Sequence, residues 1–83
     1  EDVMGTVFTD MGLSERERDV AFLLLEGRSQ PVIADQLSVA TSTVNTHVKH
    51  IYQKAGVRSK QEFIEVCHSK KRRALSSLSR SAR

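Results

Sequence analysis

The chain has 83 residues, of which 39% are hydrophobic and 28% charged, with no Trp, one Cys and a formal net charge of +3. That is one small globular domain at most, with a core built from Leu, Val, Ile and Ala. The longest apolar run, residues 20–25, falls far short of the roughly 18 residues of a membrane span. No secretory leader follows Glu1 and Asp2, and a lone Cys excludes an internal disulfide and most cysteine zinc sites. So little chain rarely builds an enclosed pocket, which argues against an enzyme; no cofactor and no bound metal are expected. The chain opens on Glu1 rather than Met, and the expectation is that it was cut from a longer protein.

Residues 1–12 carry two glycines and no clear period. They are expected to be a linker remnant, with Val3, Met4, Val7 and Phe8 covering the edge of the core. The first predicted helix spans 15–26. Ser14 followed three residues later by Glu17 is a capping box, in which the Ser oxygen takes a free first-turn amide and Glu reaches back. Val20, Leu23 and Leu24 then repeat at helical spacing, and Gly27 sits where a left-handed cap is wanted. A second, short helix is capped by Ser29, tolerates Pro31 in its first turn and has an apolar stripe of Ile33, Ala34 and Leu37. Ser38, Val39 and Ala40 break that period. A third helix starts at Thr41 or Ser42 and runs to about Lys54, with Val44, Val48, Ile51 and Ala55 as its buried stripe and Gly56 as its stop. The fourth repeats the first one's grammar, Ser59 as cap and Glu62 three residues on. It carries Phe63, Ile64, Val66 and Cys67 and ends somewhere between His68 and Arg73. Residues 70–83 are a basic, Ser-rich tail, in which Ala74–Arg83 could extend the helix weakly but is expected to be disordered. The class is all-α, with the domain proper at 13–69.

Two short helices joined by about three residues, with a small Ala in the first, fit a helix-turn-helix. The axes cross steeply, so backbone must approach backbone; Ala34 leaves room while Val39 and Val44 plug the angle. At about 100° per residue, Ser42, Asn45, Thr46, Lys49 and Gln53 share one arc of the third helix, opposite Val44, Val48, Ile51 and Ala55. No acid occurs from Gln36 to Gln61. Ordinary surface helices mix Glu with Lys, whereas a surface that meets phosphate cannot carry carboxylates. Asn pairs with adenine N6/N7, Lys reaches guanine O6/N7, and the Thr methyl can touch thymine. Charge along the chain agrees. Up to Asp35, eight acids face three bases, and from Gln36 onward two acids face ten bases. A positive rear half favours a polyanion partner. The amides of Thr41, Ser42 and Thr43, and those around Ser59 and Lys60, open helices and suit phosphate. Lys54 and Arg58 flank the groove-facing side and are expected to position the protein on the backbone.

The run Leu13-Ser-Glu-Arg-Glu-Arg-Asp-Val20, then Gly27, Ile33-Ala34, Ser42-Thr-Val-Asn-Thr-His47 and Ile51-Tyr-Gln-Lys-Ala-Gly-Val57 resembles the LuxR/GerE-type helix-turn-helix. The resemblance covers about Leu13 to Val66. It implies a four-helix domain of the winged-helix-like superfamily, without a wing, at the C-terminus of bacterial transcription regulators. It implies sequence-specific double-stranded DNA binding by the third helix (about 42–54) in the major groove. A signal-receiving domain would lie upstream, and a homodimer would form on DNA through the last helix, in the cytoplasm at the bacterial nucleoid. Carried over by position, Asn45, Thr46 and Lys49 read bases, while Thr43, Lys54 and Arg58 meet phosphates. Arg16 and Glu17 match the family's structural charge pair. The chain departs from the pattern at Ala40, where a capping Ser is usual, at Asn45, where Lys or Arg is common, and at Ala55, where Leu is usual.

Blander roles compete for several of these residues. His47 and His50 are three apart, but no third ligand is near, so edge-of-core packing is favoured over metal binding. Cys67 reads as a small buried hydrophobe, and Ser14 and Ser29 read as caps rather than nucleophiles. The basic run 70–73 is a solvated terminus or a nonspecific phosphate arm. Val66, if exposed, would mark a dimer seam. The rival function from another class is a helical module that binds a protein, or an anionic membrane through the basic tail.

Overall fold

The computed structural model describes residues 3–81, with side chains as far as Ser77; Arg80, Arg83 and the first two residues lie outside the described side chains. The described chain is all helical: α1 (Val3–Asp10), α2 (Glu15–Leu25), α3 (Gln30–Leu37), α4 (Thr41–Ala55) and α5 (Lys60–Ser81). Among the described residues no helix is long and apolar enough to cross a membrane.

The second element forms as its sequence dictates. Ser14 Oγ accepts from the Glu17 amide at 3.3 Å, and Glu17 Oε1 accepts from the Ser14 amide at 2.9 Å, closing the capping box. Gly27 then takes a left-handed φ of 85°. Ser59 Oγ likewise accepts from the Glu62 amide at 3.1 Å, but the Glu62 carboxylate reaches one residue further back, to the Arg58 amide at 2.9 Å. Two helices start without a side-chain cap, one of them against expectation. Ser29 stands at the N-cap of α3 without a side-chain hydrogen bond, and Pro31 in the first turn removes one donor that would have needed it. At α4 the N-cap is Ala40 itself, which has no side-chain oxygen to offer.

The turn between α3 and α4 depends on Ser38, the one non-glycine residue among those described with a positive φ (57°, ψ 45°). Its left-handed backbone lets the Val39 amide return to the Ala34 carbonyl at 3.0 Å. Left-handed geometry costs an L-residue about 1–2 kcal/mol, while glycine gives back about 0.5–1 kcal/mol in unfolded-chain entropy. Ser38→Gly is therefore expected to stabilise the domain by about 0.5–1 kcal/mol. An unchanged or lower urea midpoint would show that the Ser side chain itself holds the turn.

Val20, Ala21, Leu24, Ile33, Ala34, Val44, Val48, Ile51, Phe63 and Cys67 form the core. Helix α4 lies across both α2 and α3, so the helix-turn-helix shares its core with the preceding helix. The resemblance implied four helices; the structure has a fifth. Residues 3–10, expected to be linker, are helix α1, and Met4, Val7 and Phe8 are buried within the core rather than at its edge. Phe8 is edge-on to Phe22 (centroids 4.9 Å, 73°) and stacks on Phe63 (6.2 Å, 15°), which in turn meets Tyr52 at 5.9 Å. The four aromatics of the chain thus form one cluster, which ties α1 and α5 to the central helices. The tail also differs from expectation. Residues 74–81, expected to be disordered, continue α5. Adding turns to a helix already nucleated in the core costs far less than starting one.

Candidate nucleic-acid interface

Helix α4 has two unlike sides. Val44 and Ile51 are fully buried and Val48 nearly so. Across the axis Ser42, Asn45, Thr46, Lys49 and Gln53 are all exposed. The three residues expected to read bases therefore share an open face with no carboxylate on it. Thr46 Oγ1 donates to the Ser42 carbonyl at 3.1 Å. With that hydroxyl proton committed to the helix, its methyl group and an oxygen lone pair are what it offers outward. Lys49 has no ion pair with any described residue, and neither has Arg58.

At the start of α4, Thr41, Ser42 and Thr43 are exposed and uncapped by any side chain. The Thr43 amide donates to the Ala40 carbonyl at 3.0 Å, so the amides of Thr41 and Ser42 are those that carry the positive end of the helix dipole toward solvent. Ser59 lies at the start of α5 with its oxygen engaged by the Glu62 amide, leaving the hydroxyl proton available.

Two residues expected on phosphates have other partners. Lys54 turns away from the exposed face, and its ammonium sits 2.7 Å from Glu17 Oε1 and 3.1 Å from the Gly12 carbonyl. Lys60 donates to the Arg28 carbonyl at 3.0 Å, tying the start of α5 to the end of α2. The charge pair carried over as Arg16–Glu17 is also corrected. Arg16 pairs with Asp19 at 3.4 Å on the surface, while Glu17, 5% exposed, faces Lys54, with His50 Nδ1 at 3.7 Å from its other oxygen. A first-turn carboxylate pointing into the core has to take its cation from across the domain, and no local pattern around Glu17 names Lys54 as that cation.

Burial opposes the Glu17 charge, but the Lys54 hydrogen bond, the Ser14 amide and hydroxyl, and the Lys54 charge outweigh it, holding the carboxyl below its ordinary 4.5. His47 is half-buried at the core's edge, and among the described residues no three His, Cys, Asp or Glu side chains converge on one point. Cys67 is wholly buried. Burial pushes its thiol up to about 11, against a small downward pull from Lys70, so it is not an activated nucleophile.

The family model described as "Bacterial regulatory proteins, luxR family" matches residues 11–67. Among curated relatives, the HTH-type transcriptional regulators MalT of Yersinia pestis (strain Pestoides F) and Serratia proteamaculans (strain 568) are each 42% identical over 53 residues. That stretch is 64% of this chain and 6% of either relative, so the chain spans a small fraction of the proteins it matches. No solved structure matches it. The matched segment takes in the capping box of α2, the left-handed turn at Ser38 and the two-sided α4, and on that match the chain belongs to the luxR family of bacterial regulatory proteins.

Proposed function

We propose that this chain is the C-terminal output domain of a bacterial transcription regulator and binds double-stranded DNA sequence-specifically, with α4 in the major groove. The observation that carries the reading is the open, acid-free face of Ser42, Asn45, Thr46, Lys49 and Gln53 above a stripe pinned in the core. Asn45, Thr46 and Lys49 read base edges through the pairings open to an amide, a methyl and an ammonium. Thr41, Ser42 and Thr43 at the start of α4, with Arg58 and Ser59, face phosphate, whereas the Lys60 ammonium is held by the Arg28 carbonyl. Lys54 leaves the phosphate set, because its ammonium is held by Glu17 and Gly12. The MalT relatives, named as transcriptional regulators, point the same way. In this reading a signal-receiving domain lies upstream, two copies meet through α5, half-sites fall about one helical turn apart, and the protein works in the cytoplasm at the nucleoid.

Selection of bound duplexes from a random pool tests the reading directly: a recurring half-site at fixed spacing is the expected outcome, and no enrichment overturns it. Lys49→Ala is expected to weaken binding by roughly 1–3 kcal/mol and to relax preference at one base pair. An anisotropy titration that cannot tell this variant from the parent removes Lys49 from the base-reading set.

A further inference from the structure

We propose that α5 beyond Cys67 is a second DNA-binding element, a stiff cationic rod that supplies most of the sequence-independent, salt-sensitive attraction for the phosphate backbone. This rests on the reading of α4 as a DNA-binding helix.

Charge is the first argument. Residues 1–69 hold seven bases and ten acids, whereas residues 70–83 hold six bases and no acid. Without its last segment the chain would be net negative and would be repelled by a polyanion at long range. The second argument is what the cations of the body are doing. Arg16, Arg28 and Lys54 are in ion pairs, and Arg18 and Lys60 donate to backbone carbonyls. Among the described residues that leaves the side-chain cations of Lys49 and Arg58 on the body, and of Lys70, Lys71, Arg72 and Arg73 on α5, without a carboxylate or carbonyl partner. Most of the cationic groups free to meet phosphate are therefore on the rod.

Geometry is the third. Four successive positions at about 100° each encircle a helix, so the rod presents positive charge in every direction. All four side chains are exposed, and the rod is continuous with the turns that bury Phe63 and Cys67, so its direction is fixed by the core. Lys70 and Arg73 line a groove whose other wall is Thr6, Val7, Asp10 and Met11 and whose end is Lys54 and Ala55. These two cations therefore lie along α1, with the Asp10 carboxylate on the same groove, and reach the last turn of α4, while Lys71 and Arg72 lie outside it. The family match stops at residue 67, so the rod lies outside the matched domain. A membrane-surface helix needs an unbroken apolar face. Here cations ring the helix at 70–73, and residues 70–83 hold only two large apolar residues, Leu75 and Leu78, beside Ala74 and Ala82.

The test compares the 83-residue chain with its K70Q/K71Q/R72Q/R73Q variant, checked for helix content by circular dichroism. Each is titrated by anisotropy into a duplex bearing the selected site and a scrambled duplex over a range of salt, and each is mixed with phosphatidylcholine–phosphatidylserine vesicles. The slope of log K against log salt is expected to shrink by up to about 3.6, at about 0.9 for each phosphate that the variant no longer neutralises. Affinity for the scrambled duplex is expected to fall about tenfold or more at low salt, with the preference for the selected site kept. A slope that moves by less than the value for a single phosphate overturns the rod while leaving α4 in place. So does vesicle binding that vanishes in the variant while duplex binding is untouched. If the parent chain binds neither duplex, the reading of α4 falls and the rod falls with it.

Discussion

Phe8→Ala is expected to destabilise the fold by about 3–5 kcal/mol, the range for removing a fully buried ring from a core that cannot collapse onto the gap. The ring is 0% exposed and touches Phe22 on α2 and Phe63 on α5, so truncation removes two aromatic pairs as well as buried area. Each such pair adds about 0.5–1.5 kcal/mol beyond its area. Small domains have a total stability of only about 5–15 kcal/mol, so the loss would leave this one close to its unfolding midpoint. Urea denaturation gives the reading: the midpoint should fall sharply with the slope nearly unchanged. Phe8→Leu should recover most of the loss, because it keeps apolar volume. A loss below about 1 kcal/mol for the alanine variant, typical of an ordinary surface position, would mean that α1 rests on the domain without sharing its core.

The difference between an expected linker and the observed α1 has a physical explanation. Eight residues with Gly5 among them are too few to be helical alone, and no acid in the first turn or base in the last marks the ends. Gly12 is a local stop signal that the expected linker leaves unused: it is left-handed at φ 83°, and beside it the Leu13 amide returns to the Phe8 carbonyl at 3.1 Å. The other signal is the pairing of Val3 and Met4 with Val7 and Phe8, a one-turn repeat that shows its meaning only once Phe63 and Phe22 provide the other wall. The elements legible from the chain are those whose ends are written locally: Ser14 with Glu17, Ser59 with Glu62, Gly27 and Gly56. The two faces of α4 are legible for the same reason, since a stripe of Val44, Val48 and Ile51 fixes which residues must look outward. What the chain does not disclose is pairing at a distance. Lys54 looks like a phosphate ligand because its local surroundings are polar and acid-free; its carboxylate lies 37 residues away. The tail misleads in the opposite sense. Its Ser-rich composition disfavours a helix that must start by itself, yet here the helix is started elsewhere, by Phe63 and Cys67 in the core.

The Glu17–Lys54 pair yields the other large effect, and it separates a strut from a phosphate ligand. Glu17→Ala removes both the return arm of the capping box and a charge-assisted bond, and is expected to cost about 2.5–4 kcal/mol: about 1 for the cap and about 1.5–3 for the bond. Lys54→Met takes from the buried carboxylate its shortest partner and is expected to cost about 1.5–3 kcal/mol, below the range for a fully buried pair because the Lys54 end is partly in water. The two ends are not equivalent: the Glu17 side chain is 6% exposed and that of Lys54 40%. An abandoned Lys54 can return to water, whereas an abandoned Glu17 cannot without opening the first turn of α2. Acid should dissolve the pair in a definite direction. Since the folded carboxyl lies below its ordinary 4.5, its contribution is complete above that value and disappears as pH falls through the lower, folded value. Glu17→Gln, which keeps the acceptor for the Ser14 amide, should therefore be less stable than the parent at neutral pH and converge on it as the solution is made acidic. Denaturation curves for both proteins across the carboxylate range test this. Parallel curves with a constant gap would show that shape at position 17, rather than its charge, braces α2 against α4. An undiminished stability in Lys54→Met, accompanied by weaker DNA binding, would return Lys54 to the phosphate set from which its contacts remove it.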